Sequence, residues 1–184
     1  MLFTKYIRKV DMKTNILRIL FICLLCATFF VIFRFSAQNG VESSSLSQKV
    51  TVKFVNIFPY TKNLSAETKA KLVAHGEIIV RKIAHFSIYT LVGIFIMAFM
   101  STFNTKLKIQ FGVSILVGLI YAITDEYHQS FIPGRGPSAI DVCIDTCGVI
   151  FGILIVLAII SIYRAFKYDE KIRKDKSVSS NKIA

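Results

Sequence analysis

Acidic residues are scarce in this chain, which has 11 of them against 23 lysines and arginines and a formal net charge of +12. Such an excess is typical of nucleic-acid-binding proteins, but no stacking aromatic residues or DNA-reading motif accompany the basic residues. The basic residues instead flank the apolar part of the chain, at Lys5, Arg8, Lys9, Lys13, Arg18, Arg164, Lys167, Lys171, Arg173, Lys174 and Lys176. This is the positive-inside pattern of a membrane protein, so we expect a lipid bilayer as partner and no nucleic acid.

The four cysteines do not form a disulfide framework. Cys23 and Cys26 lie in the first apolar run, and Cys143 and Cys147 lie in the last, each pair at helical spacing. A metal bound by the first pair would need thiolates in lipid, which is costly, so we predict small packing residues. The chain also has no internal repeats and no GxSxG nucleophile motif.

Hydrophobic residues make up 54% of the 184 residues, and the mean hydropathy is +0.58. A chain this short cannot bury so much apolar surface in a soluble core. The sequence therefore predicts an all-α, polytopic membrane protein with a basic N-terminal segment (1–15), a four-helix membrane domain (16–163) and a basic tail (164–184). The four spans, each near the length of about 20 residues that a bilayer requires, are predicted at about 16–35, 83–101, 109–124 and 140–163.

Four spans place both termini on one side, which the basic flanks indicate is the cytoplasm. The second connection contains Lys106 and Lys108 and is predicted to be cytoplasmic too. The third connection, 125–139, carries acidic residues and a single arginine, so we expect it to face outward. The first connection, 36–82, is also outward despite its lysines, because the charge rule weakens in long segments. No small-x-small cleavage site follows the first span, so we expect an uncleaved anchor.

The first connection has a pattern of its own. Its apolar residues recur at helical spacing, at Leu46, Val50, Phe54, Ile57 and Phe58. This pattern predicts a helix that lies in the membrane interface. A core-packing helix or a β-stretch is the alternative, and the Val50-Thr51-Val52 run favours it locally. Ser65 is predicted to begin a helix that continues into the second span, and the polar end after Tyr168 is predicted to be a loose tail.

Residues 125–145 bring unusual polar chemistry to the membrane boundary, where an ionisable side chain is costly unless it is paired, hydrated or functional. The second span begins with further polar residues, and helical spacing aligns Arg81, His85 and Tyr89 in one stripe. We define a titratable set of acid–base or metal-site candidates: His85, Asp125, Glu126, His128 and Asp141. We define a cationic set of anion-binding candidates: Arg81, Lys82 and Arg135. Tyr89 and Gln129 are predicted to orient a ligand beside them.

Three chemistries are compatible with these residues. The two histidines and the carboxylates of the titratable set could bind a divalent metal and activate water. A histidine–carboxylate pair could serve as an acid–base dyad without metal. The cationic set could bind a phosphate head group with no reaction. The spacing does not match a closed metal motif, and the sequence specifies no cofactor.

Structural roles are the alternative for several of these residues. Ser138 and Asp141 form a capping-box pattern at the start of the fourth span. Asp145 lies past the first turn, where pairing with a member of the cationic set would explain it. Asp125 and Glu126 lie at a helix C-terminus, where the macrodipole disfavours anions. We therefore expect a cation or a metal to offset their charge.

The polar pattern resembles the VanZ-like family of small bacterial membrane proteins, over roughly residues 20–160. The resemblance implies a four-helix integral membrane protein and an association with low-level resistance to glycopeptide antibiotics, teicoplanin more than vancomycin. The family usually has asparagine where this chain has Asp145. The resemblance rests on Phe35-Ser36-Ala37-Gln38, Arg81-Lys82-Ile83-Ala84-His85-Phe86 with Tyr89 and Gly93, the DEYHQSFIPGRG run from Asp125, and Asp141-Val142, Gly148 and Gly152.

Together these patterns predict a protein of the bacterial plasma membrane with an outward-facing polar site for a lipid-linked or cell-wall-related anionic ligand. The runner-up is a non-catalytic role in which the same residues form an ion-pair network that holds the helices together. Transport is a third alternative, which the clustering of polar residues at one end disfavours.

The predicted orientation can be tested by labelling. A cysteine introduced at Ser130, after the four native cysteines are replaced by alanine, is expected to react with an impermeant maleimide added to intact cells. A cysteine at Lys106 is the matched control and should react only after the cells are permeabilised. The reverse pattern would overturn the orientation.

Overall fold

The computed structural model describes residues 12–61 and 63–181, with backbone alone from 174 onward. The described residues form five α-helices, one 3₁₀ turn at Pro59–Thr61, and no strand. The helices are α1 (Met12–Ser36), α2 (Gly40–Ile57), α3 (Ala66–Ser101), α4 (Leu107–Gln129) and α5 (Ala139–Asn181). Four of them, α1, α3, α4 and α5, are long and apolar enough to cross a membrane. The predicted all-α class and four spans are confirmed, while the basic residues at 5, 8 and 9 lie outside the described part.

The helix boundaries follow the predictions at some ends and not at others. Ser65 does begin the second spanning helix, because its hydroxyl accepts the backbone N–H of Thr68. α4 continues five residues past the predicted end at Thr124. The prediction of a loose tail after Tyr168 is wrong, since α5 runs on to Asn181. No glycine or proline interrupts the chain there, and an Asp169–Arg173 ion pair supports the helix.

The core lies between α3 and α5, the two helices at the centre of the bundle. Tyr89, Val92, Met97, Val149 and Ile153 are fully buried there. Glycines allow the two backbones to touch: a Cβ at position 93 would overlap the Val149 carbonyl, and one at position 152 would overlap the Thr90 carbonyl. Small residues at such positions let membrane helices pack closely. This contact fixes the position of each helix along the axis of the other.

The first connection folds into α2, which packs against α3, with Thr51 near Gly76 in the N-terminal half of that helix. The β-stretch alternative is excluded, because Val50-Thr51-Val52 is helical and the Thr51 hydroxyl donates to the Ser47 carbonyl. Thr51 also lies directly against Gly76 of α3. The apolar residues Phe54, Ile57 and Phe58 remain exposed, and a location in the membrane interface stays a prediction for them.

The close contact of α3 and α5 gives a prediction for stability. Gly93→Ala is expected to lower the midpoint of thermal unfolding in detergent, because overpacking against a backbone costs about 1–3 kcal/mol. Gly112→Ala is the matched control, since a Cβ there meets nothing within 4 Å. It should be neutral or slightly stabilising, because alanine has the higher helix propensity. Equal midpoints for the two variants would contradict the importance of the contact.

Candidate functional site

A polar cleft of about 150 Å³ lies where the N-terminal half of α3, the end of α4 and the start of α5 meet. Six of the ten predicted site residues line it. The lining residues, which define the polar cleft, are Arg81, Lys82, His85, Gln129, Gly134, Arg135, Gly136, Asp141, Ile144 and Asp145. The sequence prediction that cations on one helix would meet carboxylates on others therefore agrees with the arrangement of the structure.

The loop between α4 and α5 brings Arg135 into the cleft. Gly134 has a positive φ of 77°, a conformation that glycine adopts without strain. The loop is tied to the start of α2 by a hydrogen bond from the Gly40 N–H to the Pro133 carbonyl, 3.0 Å long. The Arg135 guanidinium then donates to the carbonyls of Phe35 and Ser36 at the end of α1, at 3.3 and 3.4 Å. A cation beside a helix C-terminus is favoured by the helix dipole.

Arg135 nevertheless has an unfavourable electrostatic environment. Burial and the neighbouring Arg81 lower the pKa of the Arg135 guanidinium from its usual value, and the carboxylates of Asp125 and Glu126 offset only part of this effect. Its Nε is buried without a hydrogen-bond partner among the described residues. An arginine stays charged under such conditions, so an added anion would relieve the repulsion between the two guanidinium groups.

The carboxylates of Glu126 and Asp141 have different partners at the start of α5. Ser138 caps the helix by accepting the Asp141 N–H at 3.2 Å. The reciprocal bond of a capping box is made by Glu126, which accepts the Ser138 N–H at 2.8 Å. Asp141 is thereby left to pair with Lys82, with 2.9 Å between Oδ1 and Nζ. The charge of Glu126 is offset by the positive end of α5 and not by the cation or metal that we expected.

One turn deeper, a histidine and two aspartates converge. His85 Nδ1 lies 3.4 Å from Asp145 Oδ1, and the nearest ligand atoms of His85, Asp125 and Asp145 all lie within 4.8 Å of one another. The predicted pairing of Asp145 with the cationic set is wrong, because Asp145 lies one turn below Asp141, level with His85. Gln129 donates to Asp125 at 3.1 Å and reaches Ser36 at 3.4 Å. Tyr89 is fully buried beneath the cleft.

His128 lies apart from this group. Its ring packs edge-on against Phe33 of α1, with 4.8 Å between the ring centroids, and it does not line the cleft. Asp145 and Ser36 instead belong to the site, although we did not count them among its residues from the sequence. For Asp145 a signal was present, because it follows Asp141 by one helical turn.

An apolar groove adjoins the polar cleft between α1, α2 and α3. Its volume is about 240 Å³. It shares Arg81, His85 and Arg135 with the cleft. Its apolar lining, which defines the apolar groove, consists of Ile32, Phe35, Leu46, Val50, Val80, Ala84 and Ile88. A polar and an apolar compartment therefore meet at three charged or titratable side chains.

Comparison with known proteins gives a family but no close relative. No curated protein and no solved structure matches the chain. A family model described as VanZ/LLP1 matches residues 21–161, which include all four spans in large part and every residue of the polar cleft. The resemblance inferred from the polar motifs is thus confirmed, and this multi-pass membrane protein belongs to the VanZ/LLP1 family.

Proposed function

We propose that this VanZ-like protein binds an anionic ligand with a lipid chain, such as a lipid-linked precursor of the cell wall, at the outer face of the bacterial plasma membrane. The observation that carries the proposal is the junction of the polar cleft and the apolar groove at Arg81, His85 and Arg135. A ligand with a charged head and an apolar tail matches both compartments at once.

The charges of the cleft favour an anionic head group. Lys82 is neutralised by Asp141, whereas Arg81 forms no ion pair within 4.0 Å among the residues that the structure describes. Arg135 is held by main-chain carbonyls and not by a carboxylate. Two guanidinium groups of the cleft therefore have no carboxylate within 4.0 Å among the described residues, and guanidinium groups bind phosphate and carboxylate in bidentate geometry.

The link to glycopeptide antibiotics is part of the proposal. Those drugs act on cell-wall precursors outside the membrane, so a site at the outer end of the bundle would meet the same class of molecule. The predicted topology puts the polar cleft on that side, because the acidic third connection faces outward.

Binding can be tested by native mass spectrometry of the detergent-solubilised protein with three probes: a polyprenyl phosphate, the corresponding polyprenol and inorganic phosphate. We expect the polyprenyl phosphate to bind more tightly than either of the others. Arg81→Gln and Arg135→Gln should each weaken its binding about tenfold, because a charge-assisted hydrogen bond contributes about 1.5–3 kcal/mol. Arg34→Gln is the matched control, since Arg34 lies at the same end of the bundle but lines neither compartment.

The three probes separate the ways in which the proposal can be wrong. Equal binding of polyprenyl phosphate and polyprenol would show that the protein does not recognise the anionic group. Equal binding of polyprenyl phosphate and inorganic phosphate would remove the role of the apolar groove. An equal loss of polyprenyl phosphate affinity in the Arg34 variant would show that the arginines act only through the general surface charge.

A structural role is the second candidate, and one observation favours it. The polar contacts join different elements: Lys82 of α3 pairs with Asp141 of α5, and Glu126 of α4 holds the start of α5. Arg135 fastens the loop to α1. Removal of one partner from such a network is strongly destabilising when the site is buried.

Single substitutions separate the two candidates. His85→Asn, Glu126→Gln, His128→Asn and Arg135→Gln should be compared for membrane abundance, thermal stability and teicoplanin susceptibility. If the site binds a ligand, His85 and Arg135 variants should lose any protection against teicoplanin at normal abundance and stability. His128→Asn should retain it, because His128 packs outside the cleft. A parallel loss of stability and protection would favour the structural role.

A further inference from the structure

The buried group of His85, Asp125 and Asp145 contains more negative charge than its protein partners neutralise. Asp145 is fully buried and Asp125 is only 5% exposed. The charged or chargeable groups that face them are His85 from α3 and Arg135 from the loop above. Arg135 is occupied by the end of α1, so in the part of the chain that the structure describes His85 is the one base that contacts Asp145. Two buried carboxylates beside a single histidine are costly without a further positive charge.

The hydrogen bonds of this group are incomplete as well. Both carboxylate oxygens of Asp145, the His85 Nδ1 and the Tyr89 hydroxyl are buried and form no well-aligned hydrogen bond among the described residues, although His85 Nδ1 and Asp145 Oδ1 lie 3.4 Å apart. Buried polar groups in proteins nearly always have a partner, so each exception calls for an unrecorded ion or water. At 3.4 Å apart, Asp145 Oδ1 and His85 Nδ1 are close enough for a single ion to contact both.

We propose that His85, Asp125 and Asp145 bind one divalent transition-metal ion. This set differs from the one that we considered from the sequence, because it includes Asp145 and omits His128. One imidazole and two carboxylates suit zinc or manganese, whereas calcium and magnesium prefer oxygen ligands alone. Ligands about 2.0–2.2 Å from a tetrahedral ion lie about 3.3–3.6 Å apart, so these atoms, within 4.8 Å of one another, would need to approach each other by up to about 1.5 Å at the widest pair.

The neighbouring residues would support such an ion. Gln129 donates to Asp125 Oδ2 at 3.1 Å and orients that carboxylate, as outer partners of metal ligands commonly do. Two carboxylates and a neutral imidazole would give a site of no net charge with a divalent ion. Three protein ligands leave coordination positions open, and His85 and Asp145 line the polar cleft, so an open position would face it.

The test uses metal alone and does not depend on the proposed ligand. The full chain, purified in detergent with a tag that contains no histidine, is stripped with a chelator and titrated with Zn²⁺ and with Mn²⁺ by calorimetry. We expect one equivalent of at least one of the two ions to bind and to raise the thermal midpoint, because an ion that binds the native state stabilises it. Asp145→Asn and His85→Asn should each weaken the affinity at least about tenfold.

Two matched controls identify the site. Asp169→Asn removes a carboxylate from the exposed part of α5, and His75→Asn removes an exposed histidine from α3. Both variants should bind metal as the wild-type chain does. Absence of stoichiometric binding of either ion to the wild-type chain would overturn the inference, and so would unchanged affinity in a folded Asp145→Asn variant. If the protein binds metal but does not bind polyprenyl phosphate, the metal site stands and the proposed function fails.

Discussion

The contact between the backbones of α3 and α5 is the constraint on which the rest of the structure depends. Gly93 and Gly152 lie against main-chain carbonyls of the facing helix, so the two helices meet without side chains between them. The register set there brings Lys82 level with Asp141 and His85 level with Asp145. The polar cleft is thus a result of packing in the apolar core, since the Lys82–Asp141 ion pair and the His85–Asp145 contact both follow from the alignment of the two helices.

Near the membrane boundary, charged side chains from one element bind the end of a different helix. Glu126 belongs to the last turn of α4, the unfavourable end for an anion, yet it serves the start of α5, the favourable end. Arg135 is a cation at the C-terminal end of α1, where its guanidinium binds the last carbonyls of that helix. These contacts offset part of the cost of placing several ionisable groups in a small space. Among those groups, Arg81 and Asp145 have the fewest stabilising contacts.

The sequence predicts the elements of this structure better than their mutual arrangement. The four apolar runs, the start of α3 at Ser65 and the meeting of cations with carboxylates follow from length, capping and charge, which are local properties. The end of α4 does not, because Asp125 and Glu126 remain helical through contacts with Gln129 and Ser138. The partner of Asp145 depends on the relative depth of two helices, and periodicity within one helix carries no such information. The orientation of His128 depends likewise on where α1 places Phe33.

The length of α3 has a mechanical consequence. At about 1.5 Å per residue, its 36 residues form a rod roughly 54 Å long, well beyond the hydrocarbon thickness of about 30 Å. The rod has no proline, and its contacts with other helices include Thr51 of α2 at Gly76 and Val149 of α5 at Gly93. Arg81, Lys82 and His85 lie between these contacts. One continuous helix therefore connects the contact with α2, the cleft residues and the core, so a displacement of α2 would act on all three through α3.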